Sequence, residues 1–227
     1  VVMVFFAMAV VISKPHWKLV ISSLLAISYG ALIGSAPLIQ YAVTNQEEFF
    51  RRTKESSIFT FHSFPDLITI LIDSFVKHLL MFNFRGDPNP RHNIPYDPML
   101  DPLTGALFIV GVTMILFYRK PALIFLLIWI CLMILPGVFT IPWEAPQSLR
   151  SIGSMPAIII VSVIPLFVLR NLSRSFSRKR IRTSIFLVFF LLLGLIGYLN
   201  LNIYFSVQKN DPNVYAAFST AETIMAI

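Results

Sequence analysis

The chain has 227 residues, 56% hydrophobic and 13% charged, with a formal net charge of +7 and a mean hydropathy of +0.77. A soluble domain carries roughly 25% charged residues, so this composition excludes an ordinary soluble globule and makes lipid the solvent for many side chains, the 21 phenylalanines included. The positive charge clusters between apolar runs, where topology determinants belong, which argues against a nucleic-acid partner; the lone cysteine, Cys131, excludes an intrachain disulfide and a cysteine-based metal site.

Apolar segments lie at roughly 1–13, 18–43, 103–118, 121–140, 155–169 and 184–204. They predict an all-α, polytopic transmembrane helical bundle of about six spans. The first is short. Val1 to Ile12 falls well below the roughly 20 residues a span needs. It has no basic region ahead of it and no small-residue cleavage site behind it, so it does not read as a signal peptide. It is expected to be the tail of a spanning helix whose start lies upstream. Gly30 and Gly34 in the second segment have the spacing that permits close helix approach, and packing within the chain is their expected use.

Three connections carry the basic residues: Lys14 and Lys18, then Arg119 and Lys120, then the stretch 170–182 with Arg170, Arg174, Arg178, Lys179, Arg180 and Arg182. All three fall on one side if every segment spans. The positive-inside rule makes that side, including residues 170–183, cytoplasmic, and binding of anionic lipid by the last cluster is compatible with the same orientation. Loops 44–102 and 141–153 then face outward, in a multi-pass protein of the cell (plasma) membrane. Residues 1–204 read as the transmembrane domain, and 205–227 as the start of an outward-facing tail or domain.

Loop 44–102 is too long for a linker. Within it, Asp66, Thr69, Asp73 and Lys77 recur at helical spacing as a polar stripe, while Leu67, Ile70, Leu71, Phe75, Leu79 and Phe82 cover much of the rest. Ser63 with Asp66 resembles a capping box, Pro65 suits a first turn, and Asp73 can pair with Lys77. The expected element is an amphipathic helix in the outer membrane interface, because a spanning helix here would bring Asp66, Asp73, Lys77 and His78 into or near hydrocarbon.

After it, residues 83–102 are dense in Pro, Asn, Asp and Arg. Proline removes donors and restricts its predecessors, so the path is irregular: a turn-rich connector, or the wall of a site. In the second reading Arg85, Arg91 and His92 offer donors to an anion, and guanidinium groups suit phosphate oxygens. Arg150, before a spanning segment on the same side, is either a snorkelling anchor or a fourth such donor. His62, His78 and His92 have no metal-ligand spacing, so no metal is expected. There is no P-loop, dinucleotide fingerprint or HExxH, and no cofactor is called for.

Three pieces together resemble bacterial and archaeal members of glycosyltransferase family 39, the protein O-mannosyltransferase-like and aminoarabinose-transferase-like enzymes of the GT-C superfamily. They are Met81-Phe82-Asn83-Phe84-Arg85-Gly86-Asp87 leading to Arg91-His92-Asn93, then Met99-Leu100-Asp101-Pro102 with Gly105, and then Glu144-Ala145-Pro146 followed by Leu149-Arg150-Ser151-Ile152-Gly153 and Pro156. The resemblance covers roughly 45–220. It implies a membrane enzyme that moves a sugar from a polyprenyl-phosphate donor to a protein, lipid or glycan acceptor on the outer face. Arg85, Arg91, His92 and Arg150 are the candidates for holding the donor phosphate. In that superfamily the catalytic carboxylate belongs to the first outward loop, to which nothing here corresponds, so the catalytic base is unassigned and this segment alone is expected to be inactive. Two other readings stand beside it. A transporter or flippase of a lipid-linked substrate predicts ionisable residues buried mid-span, and these spans have few; a non-catalytic scaffold subunit predicts no dependence on the arginines.

Overall fold

The computed structural model describes residues 17–61, 64–176 and 178–218. The short segment 1–13, Lys14, His62 and the Ser63 half of the expected capping box lie outside them. The described chain is all-α, without strands. It divides into two compact units, residues 1–63 and residues 64–227.

The first unit contains α1 (Trp17–Thr44), α2 (Gln46–Ser56) and the single turn α3 (Ile58–Phe61). α1 is apolar on all sides, and Leu19, Leu25, Leu32, Ile33 and Leu38 are each more than half exposed. A helix of this kind is stable where lipid, not water, meets those surfaces. No described residue stands within 4 Å of a Cβ built on Gly30 or Gly34. α2 has the opposite character. Glu47 and Glu48 sit in its first turn and Lys54 in its last, which complements the helix dipole.

The second unit contains α4 (Phe64–Leu80), α5 (Pro102–Tyr118), α6 (Pro121–Val138), α7 (Met155–Ser175), α8 (Lys179–Asn202) and the short α9 (Pro212–Phe218). α5 opens on Asp101, whose carboxylate accepts the N–H groups of Leu103 and Thr104, and Pro102 stands at its first position, where no donor is needed. Arg119, left-handed at φ 48°, closes it. Cap and stop hold α5 to 17 residues, about 26 Å of rise. The helices that follow are longer. Among the described residues, four stretches are long and apolar enough to cross a membrane: Trp17–Thr44, Pro121–Val138, Leu149–Ser175 and Lys179–Asn210. α5 falls just below that length.

The core lies between α4, α5, α6 and α7. Met81, Phe82, Ile115, Ile130, Ile134, Ala157, Ile158 and Val161 are almost fully buried in it. α5 and α7 cross at Gly111, where any Cβ would collide with the Val161 carbonyl. Trp129 on α6 donates to the Gly153 carbonyl at 2.9 Å, tying α6 to the turn before α7. α8 is different. It meets α7 where the two join, and Asn200 near its far end donates to Asp101 at 2.8 Å. Between those ends its residues are exposed or half-exposed.

These contacts put the start of α5, the end of α6, the start of α7 and the end of α8 at one end of this unit. The Arg119–Lys120 turn and the α7–α8 turn belong to the other end.

Candidate functional site

Two polar segments meet at the first of these ends: residues 81–101, between α4 and α5, and residues 139–154, between α6 and α7. The first folds back on itself. Met99 and Leu100 N–H donate to the carbonyls of Met81 and Phe82, both at 3.0 Å. Further along, Gly86 N–H donates to Tyr96 O and Tyr96 N–H to Asp87 O, both at 3.1 Å. The two arms approach so closely that a Cβ at position 86 would overlap the Asp97 carbonyl, so glycine is required there. Tyr96 has φ 67°, a left-handed conformation uncommon for a bulky residue. Its ring lies under the Arg85 guanidinium, 4.5 Å from centroid to Cζ.

Asp87 locks this hairpin to the second segment. Its side chain is fully buried and accepts four hydrogen bonds: Asn89 N–H at 2.8 Å, His92 Nδ1 at 2.8 Å, Ser148 N–H at 2.7 Å and Ser148 Oγ at 2.8 Å. A buried carboxylate is tolerated only with such compensation.

A second buried link stands beside it. His78, in the last turn of α4, is fully buried. Its Nε2 faces the Gln147 backbone N–H at 3.0 Å, and its Nδ1 faces the Ser74 carbonyl at 2.7 Å. A backbone N–H only donates, so Nε2 accepts and Nδ1 carries the proton. Burial pushes the His78 pKa below its ordinary value, against the opposing pull of the Ser74 carbonyl and the Asp87 carboxylate. Ser74 donates to the Val138 carbonyl at 3.0 Å, and Gly137 leaves the room that the His78 ring occupies. The end of α6 is thereby pinned to α4.

Over this platform opens a cavity of about 410 Å³, lined by Lys77, Arg85, Tyr96, Trp143 and Pro146 among others. Lys77 pairs with Asp73 at 2.7 Å as their spacing predicts, with both side chains about half exposed. Gln147, at one-tenth exposure, donates through Nε2 to Glu144 at 3.2 Å, while its Oε1 finds no partner among the described residues.

The four predicted cations occupy distinct places. Arg85 lines the cavity. His92 is turned inward onto Asp87, at 13% side-chain exposure. Arg91 is exposed and donates from Nε to the Ala217 carbonyl at 3.2 Å, joining this loop to α9. Arg150 is exposed on the 3₁₀ turn Leu149–Ser154, and no described residue pairs with it. Of the four, Arg85 alone lines this cavity. Lys77, Tyr96 and Trp143 complete the cavity. Lys77 belongs to the polar stripe of α4, and no local pattern in the sequence links Tyr96 to Trp143. Among the described residues no group of three His, Cys, Asp or Glu converges as a metal site would.

No protein-family model, curated protein or solved structure matches the chain.

Proposed function

We propose that the chain is the membrane portion of a glycosyltransferase that takes a sugar from a polyprenyl-phosphate donor and transfers it on the outer face of the membrane. The observation that carries this reading is the Asp87–Ser148 junction. It joins two of the three sequence pieces that resemble family 39, 61 residues apart in the chain, into one platform at the ends of apolar helices. Asp101, in the remaining piece, caps the adjacent α5.

The chemistry suits the donor. A prenyl tail needs apolar surface beside the site, and the exposed faces of the spanning helices supply it. The phosphate needs cations at the interface. Arg85 and Lys77 stand on one cavity, and cations held there stabilise the charge that develops on a leaving lipid phosphate. Tyr96 and Trp143 offer apolar ring faces to a sugar. Within this reading Arg85 binds phosphate, His92 positions Asp87, and Arg91 and Arg150 lie at the periphery. Asp87 and Asp101 are both engaged in holding the fold together, so neither is assigned as the general base.

The proposed topology carries about six spans, α5 included at the short limit for a span. Residues 44–102 and 141–153 face outward, 170–183 face the cytoplasm of a plasma membrane, and α4 lies in the outer interface.

The test uses the complete gene product in lipid nanodiscs, supplied with radiolabelled polyprenyl-phosphate sugars and a membrane acceptor extract. Label is expected to move into the acceptor fraction. Arg85→Ala and Lys77→Ala are each expected to slow transfer at least tenfold, about 1.4 kcal/mol of transition-state stabilisation. Unchanged transfer in both variants removes the site assignment, and donor translocation without transfer replaces the enzyme with a flippase.

A further inference from the structure

At the opposite end of the second unit, where α7 turns into α8, a separate cavity of about 380 Å³ is lined by Arg170, Ser173, Arg174, Arg182, Thr183 and Phe186. Arg170 and Arg174 are one helical turn apart on α7, and Arg182 faces them from the first turn of α8. None of the three pairs with a carboxylate among the described residues. The sequence explains why: no Asp or Glu occurs anywhere from residue 145 to residue 210.

Three guanidinium groups around one cavity repel one another unless an anion sits among them. Each presents a planar fork of donors that matches phosphate oxygens. Two hydroxyl side chains, Ser173 and Thr183, also line the cavity. Ser173 is buried and spends its proton on the Arg170 carbonyl at 2.6 Å, so it shapes the wall and leaves the anion to the guanidinium groups. Phe186 marks the border with the apolar length of α8, where Phe186, Leu187, Phe190 and Leu191 are each more than half exposed.

We infer that this cavity binds the phosphate of an anionic membrane lipid, with the acyl chains lying along the exposed face of α8. A headgroup phosphate fits the cations, and the contiguous apolar surface fits its tails. A soluble phosphate would use the first feature and leave the second unexplained. The site lies at the far end of the helices from the Arg85 cavity and does not depend on the glycosyl-transfer reading. On the topology proposed above it faces the leaflet in which anionic lipids attract basic segments.

Native mass spectrometry of the complete protein, released from detergent, tests it directly. Dioleoyl phosphatidylglycerol is expected to remain bound to the wild type, and dioleoyl phosphatidylcholine to be retained at least tenfold less. The combined variant Arg170→Gln, Arg174→Gln, Arg182→Gln is expected to lose that preference. Arg182→Gln alone, on an exposed first turn, is expected to weaken it severalfold and serves if the triple variant does not fold. Lys209→Gln, on the same chain but away from the cavity, is expected to leave it intact. Equal retention of the two lipids overturns the inference, as does wild-type retention in the arginine variants. Displacement of phosphatidylglycerol by an equal concentration of inorganic phosphate also overturns it, by making the site one for a soluble ion.

Discussion

Asp87 and His78 do different work from the cations around them. Each receives or gives hydrogen bonds to a segment more than 60 residues away, and each is sealed from water. His78 gives this a pH dependence. Its pKa is lowered in the folded chain and ordinary, about 6.5, in the unfolded one. Between those two values the unfolded chain binds more protons than the folded one. Stability is therefore full above pH about 6.5 and is lost as pH falls toward the lowered value. The melting temperature of the protein in detergent is expected to drop between pH 7.5 and pH 5, and to drop less steeply in His78→Gln; equal slopes would remove His78 as the source. Neither anchor was legible as an anchor. Asp87 and His92 sit in a stretch whose Pro, Asn and Arg content reads equally as a turn-rich connector or a site wall, and Ser148, which anchors it, is unremarkable in its own segment. In sequence His78 reads as a cost to be kept from hydrocarbon, whereas the fold satisfies both its nitrogens.

α4 shows how far periodicity reaches and where it stops. The helix and the Asp73–Lys77 pair are where their spacing predicts, because both are local. The face it buries is not. Leu67, Ser74, His78 and Met81 point inward, with Leu71 partly covered, while Ile68, Ile72, Val76 and Leu80 are exposed. Two polar residues lie in the buried stripe because α6 presents them with a free carbonyl at Val138 and the chain beyond it with a free N–H at Gln147. Hydrophobicity alone cannot find such a stripe. The exposed apolar face is what an interfacial helix would offer to lipid. Helix crossings are equally invisible in sequence. Nothing in the sequence singles out Gly111, yet a Cβ there would collide with the Val161 carbonyl of α7. Gly111→Leu is expected to destabilise the protein by about 1–3 kcal/mol, the usual cost of forcing volume into a packed contact. Gly194→Leu, where nothing lies within 4 Å, is expected to be tolerated. Thermal unfolding followed by size-exclusion chromatography compares the two; equal effects would place the close contact elsewhere.

Across the second unit, four successive helices alternate in direction, and the alternation agrees with the charge pattern of their connections. Arg119, Lys120 and the 170–182 cluster share an end, while Asp101, Asn200 and the 139–154 segment share the other. This order was legible because it rests on long apolar runs and charged turns, the strongest signals a membrane sequence carries. The proposed orientation is checked by thiol labelling of intact cells. In a Cys131→Ala background, Asn210→Cys is expected to react with a membrane-impermeant maleimide from outside, and Ser175→Cys only after permeabilisation. The reverse pattern would invert the topology and remove the Arg85 cavity from the outer face.

On the topology proposed above, α8 crosses the bilayer and would gauge its thickness. It is tied at its first turns through the junction with α7 and near its end through Asn200 to Asp101. From Arg182 to Asn200 is 18 residues, about 27 Å of helix. Typical hydrocarbon is about 30 Å thick and sterol-rich plasma membrane a few ångströms thicker. Hydrophobic mismatch in a thick bilayer would then act on the Asn200–Asp101 tether, the cap that positions α5 beside the proposed site. Transfer by the complete protein is expected to be slower in vesicles of long-chain than of medium-chain lipids, and Asn200→Ala to flatten that difference; chain-length independence in the wild type would show that the tether carries no such load.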